Sequence, residues 1–176
     1  MTSTNIVGYQ QTTCIAGLNF IAPNFNDVGN NTVVMKSITL SGEVTSGDYL
    51  QVLDEDGNQV SSYTWSLDGD YGATDGWYDD EMDYAGNSSI ARGLSLLLSC
   101  EEDDVIVTVA GEVNTTPVAL TCVAGLNSVG NFFPKAIPVG NIVLSGETVT
   151  SGDYLLSLVF LDLEFCGGGG WDEAGC

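Results

Sequence analysis

Seven carboxylates, Asp68, Asp70, Asp75, Asp79, Asp80, Glu81 and Asp83, stand close together and are interleaved with Tyr71, Trp77 and Tyr78. Such a stretch could do one of three things. Hard oxygen donors at short spacing can ligate Ca²⁺, and Asp75, Asp79 and Asp80 are the candidate metal ligands. Rings beside hydrogen-bonding acids could instead hold a sugar, with Trp65, Trp77 and Tyr78 as the candidate stacking residues. The third reading is a solvated loop whose Trp77 folds back onto the core. Glycoside hydrolysis would need two carboxylates set across a cleft, one of them with a raised pKa. In a chain this rich in acids, a pair of carboxylates by itself carries no information. Upstream, Asp54-Glu55-Asp56-Gly57-Asn58 resembles the start of a calcium loop, but an EF-hand requires a bidentate Glu where this chain has Trp65. The flanking runs also read as strands rather than helices, which favours a hairpin tip.

Composition removes several functions. The 24 acidic residues against 3 basic ones give a formal charge of −21. Nucleic-acid binding is excluded on that balance, because neutralising phosphates takes Lys and Arg. An anionic membrane surface is disfavoured for the same reason, while cations are attracted. His is absent from the sequence, so serine- and cysteine-type triads that use it are ruled out. No apolar run approaches the roughly 20 residues needed to span a bilayer, so membrane insertion is not expected. Hydrophobic residues make up 44% of the chain, enough for a packed core. No catalytic constellation stands in the sequence, and the chain is expected not to be an enzyme.

The elements that would position these residues come in two copies. Leu40-Ser41-Gly42-Glu43-Val44-Thr45-Ser46-Gly47-Asp48-Tyr49-Leu50 returns as Leu144-Ser145-Gly146-Glu147-Thr148-Val149-Thr150-Ser151-Gly152-Asp153-Tyr154-Leu155. Upstream of each block, Thr13-Cys14-Ile15-Ala16-Gly17-Leu18-Asn19 returns as Thr121-Cys122-Val123-Ala124-Gly125-Leu126-Asn127. Matched blocks in the same order, about a hundred residues apart, imply a tandem duplication at the scale of a small domain. The first repeat domain is read as residues 1–113 and the incomplete second repeat as 114–176. The Thr-Ser-Gly-Asp of each copy reads as turn chemistry entering a strand rather than as a recognition tripeptide.

Among the five cysteines, none shows the C-x-x-C spacing of zinc or redox sites. Cys14 and Cys122 hold equivalent positions in the two copies, as a buried small residue on a strand would. A disulfide is open to them, although an odd count leaves at least one thiol unpaired.

Short β-rich runs separated by Gly, Asn and Asp predict an all-β fold, a β-sandwich or small barrel built from the tandem repeat with its second copy truncated. Strands are expected over 5–10, 12–20, 32–40, Tyr49–Leu53, 59–65, 92–100 and Val105–Val113. Hairpin tips are expected at 54–58 and at Glu101-Glu102-Asp103-Asp104. The 80–94 stretch is the only place for a short helix, and Gly86 and Gly93 weaken it. The predicted core is Val33 or Val34, Ile38, Leu40, Tyr49, Val52, Leu96, Leu98, Val107 and Val109. Copy two repeats the Thr-Cys strand, a Pro-containing connection, a strand at 142–144 and the turn, then stops without counterparts of the strands at 94–98 and 105–109. The tail after Cys166 is expected to be poorly ordered.

Asn5-Ile6-Val7-Gly8-Tyr9, Ala16-Gly17-Leu18-Asn19-Phe20-Ile21-Ala22, Gly76-Trp77-Tyr78-Asp79 and Val107-Thr108-Val109-Ala110-Gly111-Glu112-Val113 together resemble a loosely defined group of secreted repetitive β-proteins. That group occurs in bacteria of the Planctomycetes–Verrucomicrobia–Lentisphaerae lineage. The resemblance covers most of copy one and the start of copy two. It implies export to the cell surface or medium, and it carries no enzymatic activity. Members usually have a leader; Met1-Thr2-Ser3-Thr4-Asn5 lacks the basic and apolar regions of one.

The expected function is therefore a non-enzymatic extracellular or cell-surface structural or adhesive β-repeat protein, able to self-assemble into a homo-oligomer or filament by strand addition. The alternative is a carbohydrate-binding module, with polysaccharide as partner and Ca²⁺ as a candidate cofactor.

Overall fold

Alternation of apolar and polar side chains, broken every few residues by Gly, Asn or Asp, drives this chain into strands. A computed structural model describes residues 7–27, 32–54, 56–68, 70, 74–91, 94–113, 119, 121–125, 127, 138–146 and 149–153. The chain divides into two compact units, Met1–Val139 and Gly140–Cys176. The first holds all the described strands, and its fold is an all-β sandwich; among the described residues no sheet closes into a barrel.

One sheet is built around its longest strand, β11 (Val105–Val113). Along one side of β11 runs β1 (Val7–Cys14), antiparallel, in unbroken register from Val7 opposite Glu112 to Cys14 opposite Val105. The other side is shared by β5 (Ile38–Gly42), beside Val105 to Val109, and β3 (Phe25–Asn26), beside Glu112 and Val113. The close approach of β3 requires Gly111, where a Cβ would lie 2.2 Å from the Asn26 carbonyl oxygen.

The facing sheet orders β2 (Gly17–Ile21), β10 (Ser95–Cys100), β6 (Tyr49–Leu53), β7 (Gln59–Ser66) and β8 (Gly76–Tyr78), each antiparallel to its neighbour. A two-stranded ribbon of β4 (Thr32–Val34) and β9 (Ser89–Ala91) completes the described strands. Val105, Val107 and Val109 of the first sheet and Leu50, Val52, Leu96 and Leu98 of the second meet in one core, joined by Val33, Met35, Ile38 and Leu40. The predicted core is thus reproduced, except that Tyr49 is half-buried on the outer face.

Several expectations need correction. The strand at 32–40 is broken by a 3-10 turn, Met35–Ser37. The Met35 and Lys36 N–H groups donate to the Ser88 and Gly86 carbonyls, and Ser37 Oγ donates to the Val34 carbonyl at 2.6 Å. That capture turns the chain, so β4 joins the ribbon while β5 joins β11. The expected pair at 5–10 and 12–20 also shifts: β1 runs on to Cys14 and the break falls at Ile15-Ala16.

Glu101 to Asp104 is no hairpin tip, because β10 and β11 pair in different sheets and these residues cross between them. No helix forms in the described part of 80–94; Tyr84 makes an isolated bridge with Tyr78, and β9 follows. The hairpin of β6 and β7 does form, with a bulge at Val52/Leu53.

In the second copy, residues 142–144 are not a strand and a 3-10 turn spans Val139–Asn141. The tail after Cys166 lies outside the described residues. Among the described residues, no helix is long and apolar enough to cross a bilayer.

Candidate functional site

The sequence-predicted rings turn inward or pack flat. On β7 and β8, Trp65 lies opposite Trp77, so both side chains share the face that looks into the sandwich. Their rings meet edge to face with centroids 5.0 Å apart. Trp77 Nε1 donates a 2.7 Å hydrogen bond to the Ile38 carbonyl on the opposite sheet. Trp65 Nε1 is buried and has no hydrogen-bond partner among the described residues. Tyr78 points to the outer face, where it is nevertheless buried, its hydroxyl donating to the Thr74 carbonyl at 3.1 Å. In this conformation none of the three offers a free ring face to a sugar.

The ring at the surface here is Tyr84, which sequence reading passed over. It is 50% exposed and meets Tyr78 edge to face at 5.7 Å. Its lower side rests on bare glycine backbone: a Cβ at Gly86 would lie 2.3 Å from the ring, and one at Gly76 2.8 Å. Gly76 and Gly86 stand ten residues apart, and cannot be read as a ring seat without knowing that β8 and the turn before β9 adjoin.

The carboxylates serve separate hydrogen bonds instead of converging. Asp75 Oδ1 accepts from the Asp68 N–H at 2.6 Å, and Asp80 Oδ1 accepts from Ser62 Oγ at 2.7 Å. Asp79 Oδ1 accepts from the N–H groups of Glu81 and Asp83 at 3.2 and 2.8 Å. Asp75 and Asp79 therefore hold different parts of the loop, while Asp80 ties it to β7. Among the described residues, no group of three or more acidic or cysteine side chains is placed to hold a metal ion. Asp54 likewise closes its own hairpin, accepting from the Asn58 N–H at 2.7 Å.

The most constrained acid is one that the composition hides. Asp48 is fully buried at the corner where the chain crosses between sheets. Its carboxylate accepts from the Thr45 N–H at 3.2 Å, Thr45 Oγ1 at 3.2 Å and the Glu101 N–H at 3.0 Å. Nearby, the Ala16 N–H donates to Asp103 Oδ1 at 2.8 Å, tying the two sheet crossings together. Cys14 and Cys100 are buried at the same corner, and burial raises both thiol pKa values, Cys100 to about 12.

Two turns of the repeated sequence keep the same hydrogen bonds in both copies, although the described residues 121–123 and 142–144 of copy two are not strands and Cys122 is exposed. The Asp153 N–H donates to the Thr150 carbonyl and the Thr150 N–H to Asp153 Oδ2, as Asp48 and Thr45 do in copy one. Asn127 accepts from the Val123 N–H and donates to the Val123 and Gly125 carbonyls; Asn19 makes the same three bonds with Ile15 and Gly17. Gly17 and Gly125 both take the positive φ that this turn demands.

One strand edge also stands out. On β1, Val7 and Tyr9 are 66% and 69% exposed, and among the described residues the strand is paired on one side only. No family model matches the chain, and no curated protein or solved structure matches it either.

Proposed function

We propose that the chain is a non-catalytic β-repeat module of an extracellular or cell-surface structural or adhesive protein, and that its modules associate edge to edge. The observation that carries this reading is the β1 edge. Val7–Cys14 contains no charged residue in a chain of net charge −21, and neighbouring Gly17–Ile21 contains none either. Exposed edge strands are ordinarily guarded by Lys, Pro or a bulge, and β1 has an unbroken register and none of these. Among the described residues no strand pairs with its outer side, which suits antiparallel addition of a second copy's strand. Repulsion between the acidic surfaces opposes association, and Ca²⁺ drawn to them would screen it. The repeated turns, and the resemblance to secreted repetitive β-proteins, support a modular, exported protein with the repeat boundary after residue 113.

The test is sedimentation velocity with and without Ca²⁺ at matched ionic strength, so that general screening is held constant. Association that weakens when Gln11→Glu and Thr13→Glu place charge on β1 is the expected result. A monomer at all concentrations, with and without Ca²⁺, rejects the reading.

A carbohydrate-binding role is the second reading, and Tyr84 favours it. An exposed ring fixed on glycine backbone is a low-entropy stacking surface. Polysaccharide retardation in affinity electrophoresis, lost in Tyr84→Ala, would support it; no retardation of the wild type would remove it.

A further inference from the structure

β1 and β10 end at the same corner of the sandwich. After Cys14 the chain crosses from the first sheet to the second, through Ile15 and Ala16 into β2. After Cys100 it crosses back, through Glu101 to Asp104 into β11. Because β1 pairs with β11 and β2 with β10, the two crossings run side by side, with Cys14 opposite Val105 and Cys100 opposite Gly17. The bond from Ala16 to Asp103 and that from Glu101 to Asp48 hold both crossings in place. One cysteine from each sheet is thereby brought to the same point. Cys14 is 2% exposed and Cys100 3%, and the two thiols lie near enough for each to act on the other's ionisation. Asn19 Nδ2 approaches Cys100 Sγ at 3.8 Å and further fixes that side chain.

Two small apolar side chains would fill this corner equally well without being cysteines. Two thiols, one from each sheet, buried side by side at one corner are the feature that packing alone does not require. We propose that Cys14 and Cys100 are an oxidation site that closes to a disulfide joining the two sheets. The oxidant is an organic disulfide, RSSR. One protein sulfur, having lost its proton to solvent, attacks RSSR and expels RS⁻, leaving a mixed disulfide. The second sulfur, deprotonated in turn, attacks the protein sulfur of that bond and expels the other RS⁻. Both thiolates take up the released protons, so two protein thiols and RSSR become one protein disulfide and two RSH, with two electrons passed to the oxidant. Closure brings the two sulfurs to ~2.05 Å, the length of an S–S bond.

The surroundings determine what kind of disulfide this is. Burial raises both thiol pKa values, and the nearby Asp48 carboxylate pushes the same way. Thiolate is therefore scarce at neutral pH, and exchange in the folded protein is slow. A thiol of high pKa is also a poor leaving group, so the bond once made resists reduction. It is a structural staple set during folding, not a catalytic dithiol. The loop it closes carries β2, β6, β7, β8 and β10, the whole second sheet, and so constrains much of the unfolded chain. Cys122, the equivalent of Cys14 in the second copy, is exposed and serves as the internal control.

The experiment refolds the reduced full chain in a glutathione buffer, blocks free thiols in denaturant and cleaves on the carboxyl side of acidic residues, which separates Cys100 from Cys122. The expected result is a linked pair of peptides containing Cys14 and Cys100. The chain should also show a higher Tm than its reduced form, a rise that persists in Cys122→Ser and vanishes in Cys100→Ser. Recovery of Cys14 and Cys100 as blocked free thiols, or of Cys14 linked to another cysteine in the native monomer, overturns the proposal. The peptide map of the unmutated chain decides the matter even if a variant fails to fold.

Discussion

The indole N–H of Trp77 and the carbonyl of Ile38 face each other across the sandwich at 2.7 Å, a hydrogen bond from a core side chain of one large sheet to the backbone of the other. Trp65, its edge-to-face neighbour, carries the same N–H with no partner among the described residues. The pair is a matched experiment. Trp77→Phe removes a satisfied donor and ring volume, and is expected to destabilise by about 2–4 kcal/mol. Trp65→Phe removes an unpaired buried donor, and the gain offsets part of the lost packing, so the cost should be at least about 1 kcal/mol smaller. Urea unfolding of the two variants checks the order.

Asp48 and Asp153 are the same residue of the repeat in different settings. Asp48→Ala strands the Glu101 N–H and undoes the Thr45 turn at a buried corner, and should cost about 2–4 kcal/mol in the first unit. Asp153→Ala acts at an exposed turn, where about 0.5 kcal/mol is the expected ceiling. Equal effects in denaturant melts would mean that the corner network is not what holds the first copy together.

Met82 adopts positive φ, 64°, in the turn closed by Asp79. An L-residue with a Cβ is strained there by about 1–2 kcal/mol, and the side chain is exposed, so little packing is lost on removal. Met82→Gly is expected to stabilise the protein by about 0.5–1 kcal/mol after the entropy of the unfolded glycine is counted. A raised Tm checks it.

Reduced protein should lose stability in alkali. A thiol whose folded pKa lies above its unfolded value keeps its proton in the native state while the unfolded chain ionises. The unfolded state then binds fewer protons, and stability falls as pH rises. For Cys100 the loss begins near the ordinary thiol range, about 8.5, and is complete above about 12. Comparing urea melts at pH 8 and pH 10.5 for the reduced chain and for Cys100→Ser isolates this contribution from that of the tyrosines. The variant should show the shallower decline.

Local chemistry was legible in the sequence. The apolar alternation of Val105, Val107 and Val109 and of Leu96 and Leu98 specified strands, and Asp54 to Asn58 specified a hairpin tip, because those outcomes depend on neighbours within a few residues. The repeated Thr-Ser-Gly-Asp and Ala-Gly-Leu-Asn blocks carried their own hydrogen bonds into both copies for the same reason. Partnership between distant strands was not legible. A polar tip between two apolar runs looks the same whether the runs pair with each other or join opposite sheets, so only the tertiary structure made Glu101 to Asp104 a crossing. The same limit applies to the side chains. Sequence placed Trp65, Trp77 and Tyr78 beside acids, but pleat and register sent the indoles inward and left Tyr84 at the surface. Sequence also marked Cys14 as a position shared by the two copies. Its neighbour Cys100 became visible only when two sheet crossings, far apart in the chain, were packed side by side.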